Sequence, residues 1–123
     1  MNYKGVIIEE SLENKELLGL CKIVSTRIGV DNNPKTNAGE PTWTLHQVKV
    51  LEPNLKEVLK QLSKNLKLPN WWADLSLGDE ICIVFHNKIF KGKNYNLKFR
   101  KRVIDYAHSL NLPAGQIPLG GSI

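Results

Sequence analysis

Thr42-Trp43-Thr44-Leu45-His46-Gln47-Val48-Lys49-Val50, followed within a few residues by Leu55-Lys56-Glu57-Val58-Leu59-Lys60-Gln61-Leu62, decides how this chain folds. The first segment alternates with period two, as a strand does. Its parity puts Trp43 and Leu45 on one face and His46, Val48 and Val50 on the other, so both faces are partly covered. The second segment changes period. Leu55, Val58, Leu59, Leu62 and Leu66 make a single apolar stripe of helical spacing. Asn54, with Glu57 three positions on, resembles a capping box at its start, and Pro69 marks the helix as finished.

Working outward, Tyr3 to Ile8 and Cys21 to Ile28 are short, apolar and β-branched, and read as strands. Glu9 to Gly19 between them is polar with scattered leucines and suggests a helical turn. Residues 30–41 are dense in Asn, Pro and Gly and read as an exposed loop. Downstream, Asn70 to Leu75 and Glu80 to Phe85 form a hairpin through Ser76 to Asp79, and a shorter strand spans Lys88 to Lys91. A last helix starts near Asn96, burying Phe99, Val103, Tyr106, Ala107 and Leu110. Residues 112–123, with two prolines and three glycines, read as an irregular tail. The order β-β-β-α-β-β-β-α defines one α+β domain over residues 1–123. The expectation is a mostly antiparallel sheet of about five to six strands with two main helices on one face. It is not the alternation of a doubly wound nucleotide fold.

Composition agrees. The chain has 123 residues, 41% hydrophobic and 24% charged, an ordinary globular balance that needs no disulfide or metal to fold. Cys21 and Cys82 sit singly inside apolar runs and read as core thiols. No export signal and no membrane-length apolar stretch is seen, so the expected compartment is the cytoplasm. No cofactor or metal is expected.

Charge is unevenly placed. Residues 1–62 carry eight Lys/Arg and eight Asp/Glu, while residues 63–123 carry nine and four, so the net +5 lies in the second half. From Ile81 to Ile104 there is no acid, but Lys88, Lys91, Lys93, Lys98, Arg100, Lys101 and Arg102 are present. Such a block suits an anionic ligand or an acidic protein partner. Nucleic acid is a weaker expectation, because no recognition motif accompanies it. Gly92-Lys93 lacks the remaining residues of a phosphate loop, with Asn87 and Asn94 where Gly and Ser/Thr are needed. A looser anion-binding turn over Gly92 to Asn94 stays open.

Four blocks, Lys4 to Leu12, Trp43-Thr44-Leu45-His46, Trp72-Ala73-Asp74 and Ile83 to Phe90, occur in this order over residues 4 to about 91. They resemble the recurring blocks of a family of small uncharacterised bacterial and archaeal proteins. The resemblance implies a cytosolic prokaryotic setting and carries no activity and no site residue.

Two constellations remain as candidate sites. Trp71 shares a strand face with Ala73 and Leu75, whereas Trp72 goes with Asp74 and Ser76 on the wetter face. A large aromatic on a polar-flanked face suits an interface. The leading expectation is therefore a non-enzymatic binding or assembly module. It would self-associate or dock a partner through the Trp72/Asp74 face, helped by Lys88, Lys91, Lys93, Lys98, Lys101 and Arg102. The competing reading is a small enzyme or ligand-binding protein whose pocket joins His46, Asp74, His86 and Lys88, which requires that folding bring them together.

Overall fold

A computed structural model describes residues 1–30, 42–68, 71–112 and 116–121. Six strands form one sheet: β1 (Asn2–Ile8), β2 (Lys22–Val30), β3 (Thr42–Leu51), β4 (Trp72–Leu77), β5 (Glu80–Phe85) and β6 (Lys88–Lys93). Their spatial order is β2-β3-β1-β4-β5-β6, and every pairing is antiparallel. Helix α1 (Leu55–Asn65) lies between β3 and β4 in sequence, and α2 (Leu97–Ser109) follows β6. The α+β class and the element order are as the sequence indicates. Of the expected 30–41 loop, only Val30 falls among the described residues, where it ends β2.

β3 and β4 both pair with β1 and so run parallel to each other, with β1 between them. The crossover helix α1 passes over β1. It buries Leu55, Val58, Leu59 and Leu62 against Tyr3 and Ile7 of β1, Val48 and Val50 of β3, Ala73 and Leu75 of β4, and Cys82 and Val84 of β5. Two short 3-10 turns, Glu9–Ser11 and Glu16–Leu20, replace the single helical turn expected between β1 and β2 and extend this cover. Tyr3 reaches across β4, and its hydroxyl donates to Glu80 Oε2 at 2.7 Å. That bond pushes the phenol up to about 12 and holds the Glu80 carboxyl below its usual range.

The two helices lie on opposite faces of the sheet, not on one face as expected. The cause is legible in β5. Ile81-Cys82-Ile83-Val84-Phe85 is apolar at every position and buried at every position, so both its faces need cover. Cys82 and Val84 lie under α1. Ile81, Ile83 and Phe85, with Phe90 of β6, lie under Phe99, Val103 and Ala107 of α2.

Two smaller expectations also change. Asn54 caps α1 in position only, with no side-chain hydrogen bond, because Glu52–Asn54 is already a 3-10 turn and Asn54 is helical. α2 does receive a side-chain cap, from Asn96 to the Phe99 amide at 2.9 Å. The described part of the tail is not irregular. Pro118–Gly121 forms a 3-10 turn, and Ile117 and Leu119 pack on the α2 core.

Candidate functional site: an open basic sheet face

The α2 side of the sheet is only half covered. α2 shields β4 to β6, while among the described residues no helix lies above the outward residues of β1, β3 and β2. Lys4, Val6, Gln47, Ser25, Arg27 and Lys22 are exposed there, and Lys49 is half-buried. Register makes the charges converge. Lys49 is directly opposite Lys22 on one side and Lys4 on the other, and Lys4 is opposite Ser76. Residues so paired have Cβ atoms about 5 Å apart, a spacing at which like charges repel. None of these three lysines, nor Arg27, makes an ion pair among the described residues. At one end of the row a cavity of about 370 Å³ is lined by Lys22 and Lys49 together with Asn2, Asn54, Cys21 and Leu51.

Glu9 and Glu10, which follow β1 directly, do not offset these lysines, because they turn to the other face. β1 stops at Ile8, freeing the edge of β3 beyond Leu45. There the Glu10 carboxylate accepts from the Thr44 amide and, at 2.8 Å, from its hydroxyl, standing in for a strand carbonyl. Burial alone would raise the Glu10 pKa, but these hydrogen bonds outweigh it and leave the group lowered. Glu9 Oε1 lies 3.1 Å from His46 Nε2, and His46 Nδ1 lies 2.8 Å from Thr26 Oγ1. Bonds from His46 and Lys15 hold the Glu9 carboxyl below its ordinary range. His46 is thus a buried clamp that ties the 3-10 turn after β1 to the β2 edge.

The residues singled out from sequence separate. His46 sits in that clamp on the α1 side. Asp74 lies on the α2 side of β4, and His86 lies past the end of β5 with Nδ1 2.8 Å from the Leu66 carbonyl oxygen. Lys88 stands over the Phe90 and Tyr106 rings, 5.3 and 5.9 Å from their centroids. His46, Asp74, His86 and Lys88 therefore share no pocket. Trp72 is roofed by its own chain, its indole N–H donating to the Gln116 carbonyl oxygen at 2.6 Å.

The basic block also divides. Lys91 pairs opposite Cys82, on the α1 side, and Lys93 on the same side is 3.3 Å from Glu80. Lys98, Lys101 and Arg102 are exposed on α2, across the sheet, and Lys101 is bound to Asp105 at 2.8 Å. Arg100 serves the fold by donating to the Asn94 and Leu119 carbonyls. The Gly92–Asn94 turn is likewise used internally, with the Asn94 amide donating to Asp79 and the Phe99 ring packed against Gly92.

Asp74 shares the face of Lys4 and is half-buried with no hydrogen bond or ion pair among the described residues. Burial pushes its pKa up. A carboxyl whose folded pKa exceeds its unfolded value costs stability above both values, and the cost vanishes as pH falls below the unfolded one. Asp74→Asn is therefore expected to raise the urea midpoint at pH 7, with the gain gone by about pH 3. An unchanged or lower midpoint at pH 7 would mean that the carboxylate has a partner.

The fold and site define a small antiparallel α+β domain with one open, cationic sheet face. No family model, curated protein or solved structure matches the chain. No helix among the described residues is long and apolar enough to cross a membrane.

Proposed function

We propose that the protein is a non-catalytic binding module that docks an acidic protein segment on the open sheet face of β1, β3 and β2. The observation that carries this reading is the cross-strand row Lys22–Lys49–Lys4, in which none of the three lysines makes an ion pair among the described residues. Placing three ammonium groups side by side costs stability, and an anion laid across them relieves the repulsion. Trp72 and Asp74 border the same face, so the docking surface is the neighbouring, uncovered half of the one anticipated from sequence. Aromatic geometry favours an acidic peptide over single-stranded nucleic acid. Trp72 is roofed by the tail, and Trp43 is half-buried edge-on against Trp71 with ring centroids 5.4 Å apart, so neither offers a free ring for a base. The proposed compartment is the cytoplasm, which the two free thiols support.

Fluorescence anisotropy with a labelled oligo-glutamate peptide tests this. Binding at low salt that weakens steadily as salt is added supports the reading. Absence of binding at low salt, or tighter binding of an oligothymidylate of equal charge, overturns it.

A further inference from the structure

The cavity of about 370 Å³ at the end of the lysine row offers hydrogen-bond donors on an apolar wall. Lys22 and Lys49, opposed in register, supply two ammonium groups, and Asn2 and Asn54 supply two half-buried amides. None of these four side chains has a hydrogen bond or ion pair among the described residues, and no acid among them lines the cavity. Leu20 and Leu51, 38% and 56% exposed, form the wall. The Cys21 thiol donates to the Leu17 carbonyl at 3.7 Å, and burial pushes its pKa up, so it stays protonated and adds only bulk. We propose that this cavity holds the C-terminal residue of the docked acidic segment, a Glu or Asp whose α-carboxylate and side-chain carboxylate face Lys22 and Lys49. This assignment rests on the open-face docking reading and adds to it the end of the segment.

The charge count selects a chain end. An internal Glu brings one carboxylate, whereas a C-terminal Glu brings two on one residue, one for each lysine. Its two carboxyl carbons lie about 5 Å apart when extended, from C–C bonds of about 1.5 Å. The opposed lysines have Cβ atoms about 5 Å apart, so each ammonium can meet one carboxylate. The remaining carboxylate lone pairs accept from the Asn2 and Asn54 amides. The methylenes between the two carboxylates cover Leu20 and Leu51. A cavity near the lower end of the roughly 300–1,000 Å³ range of ligand sites suits one or two residues, not a longer stretch. Inorganic phosphate fits less well, because it has no apolar body to lay against the leucines.

Fluorescence anisotropy with two peptides, each labelled at the N-terminus, tests the proposal. One is a hexaglutamate with a free C-terminus and the other an amidated heptaglutamate, so both carry the same charge. The expected result at low salt is binding of the free-ended peptide at least about fivefold tighter, as two exposed ion pairs allow. Lys22→Met should remove that preference and Asn54→Leu should reduce it. The readout is the ratio of the two affinities, which a general loss of positive charge leaves unchanged. Neither side chain has a partner in the fold among the described residues, so both variants should fold. Equal binding of the two peptides overturns the chain-end site and leaves docking on the open face standing. A preference that survives Lys22→Met overturns it as well. Glutarate binding more tightly than the free-ended peptide replaces the chain end by a free dicarboxylate and overturns it too. If neither peptide binds, the docking reading fails and the site falls with it.

Discussion

Gly5→Ala is expected to remove a large part of the stability of the domain. Gly5 of β1 lies close against β4, where an added Cβ would fall on the Asp74 carbonyl oxygen and within 3.0 Å of Leu75 Cδ2. The obstacle on one side is backbone, which cannot rotate away, so the strands must part. Parting them separates the β2-β3-β1 half of the sheet from the β4-β5-β6 half, because among the described residues β1–β4 is the only strand pairing that joins the halves. Tyr3, Ile7, Ala73 and Leu75 of the main core would move with them. Overpacking of this kind costs about 3 kcal/mol or more, a large part of the roughly 5–15 kcal/mol that holds a domain folded. Urea denaturation followed by tryptophan fluorescence measures it. A loss below about 1 kcal/mol would mean that the junction tolerates a side chain and that the two halves are less tightly joined.

The second large effect concerns binding and should leave folding intact. Reversing Lys4 and Lys49 together, as Lys4→Glu and Lys49→Glu, turns the row from three cations into one cation and two anions. Exposed ion pairs contribute about 0.2–1 kcal/mol each, and reversal replaces attraction with repulsion. The expected loss of affinity for an oligo-glutamate peptide at low salt is roughly ten- to a hundredfold, about 1.4–2.8 kcal/mol. Stability should change little, since the reversal turns the Lys22–Lys49 contact into an attraction but leaves like charges, now both negative, opposed at positions 4 and 49. Reversing Lys98, Lys101 and Arg102 on α2 instead should cost far less, because those side chains are on the outer surface of the helix, above β4 to β6 and apart from the row. Equal losses from the two sets would point to general electrostatic attraction by a basic protein, with no defined face.

How much of this could be read from the residues differs between fold and site. Strand parity in Thr42 to Val50 and the helical stripe from Leu55 to Leu66 placed the main core correctly, and the split of Trp71 from Trp72 is as the alternation required. The layer arrangement was also present, but in a different signal. Five consecutive buried apolar residues, Ile81 to Phe85, demand cover on both faces, and weighing that run more heavily would have put α2 opposite α1. The site was hidden for a different reason. Lys4, Lys22 and Lys49 are far apart in sequence, each single among apolar neighbours, in a half whose net charge is zero. Only the pairing register brings them into one row. Two of the eight acidic residues behind that zero count, Glu9 and Glu10, are spent on His46 and Thr44 on the opposite face. Conversely, the basic run from Lys88 to Arg102 was conspicuous in sequence, but a turn after Lys93 carries the chain from one side of the sheet to the other. Clustering along a chain is a weak guide to clustering on a surface when strands separate the residues.

The most direct measurement is residue-by-residue mapping of the oligo-glutamate contact by amide chemical-shift changes in the full chain. The expected shifts are concentrated at Lys4, Lys22, Gln47 and Lys49 and at the neighbouring Asn2 and Leu51, and they diminish with added salt. Shifts centred on Lys98, Lys101 and Arg102, or spread evenly over all exposed lysines, would contradict the assignment of the open sheet face as the binding surface.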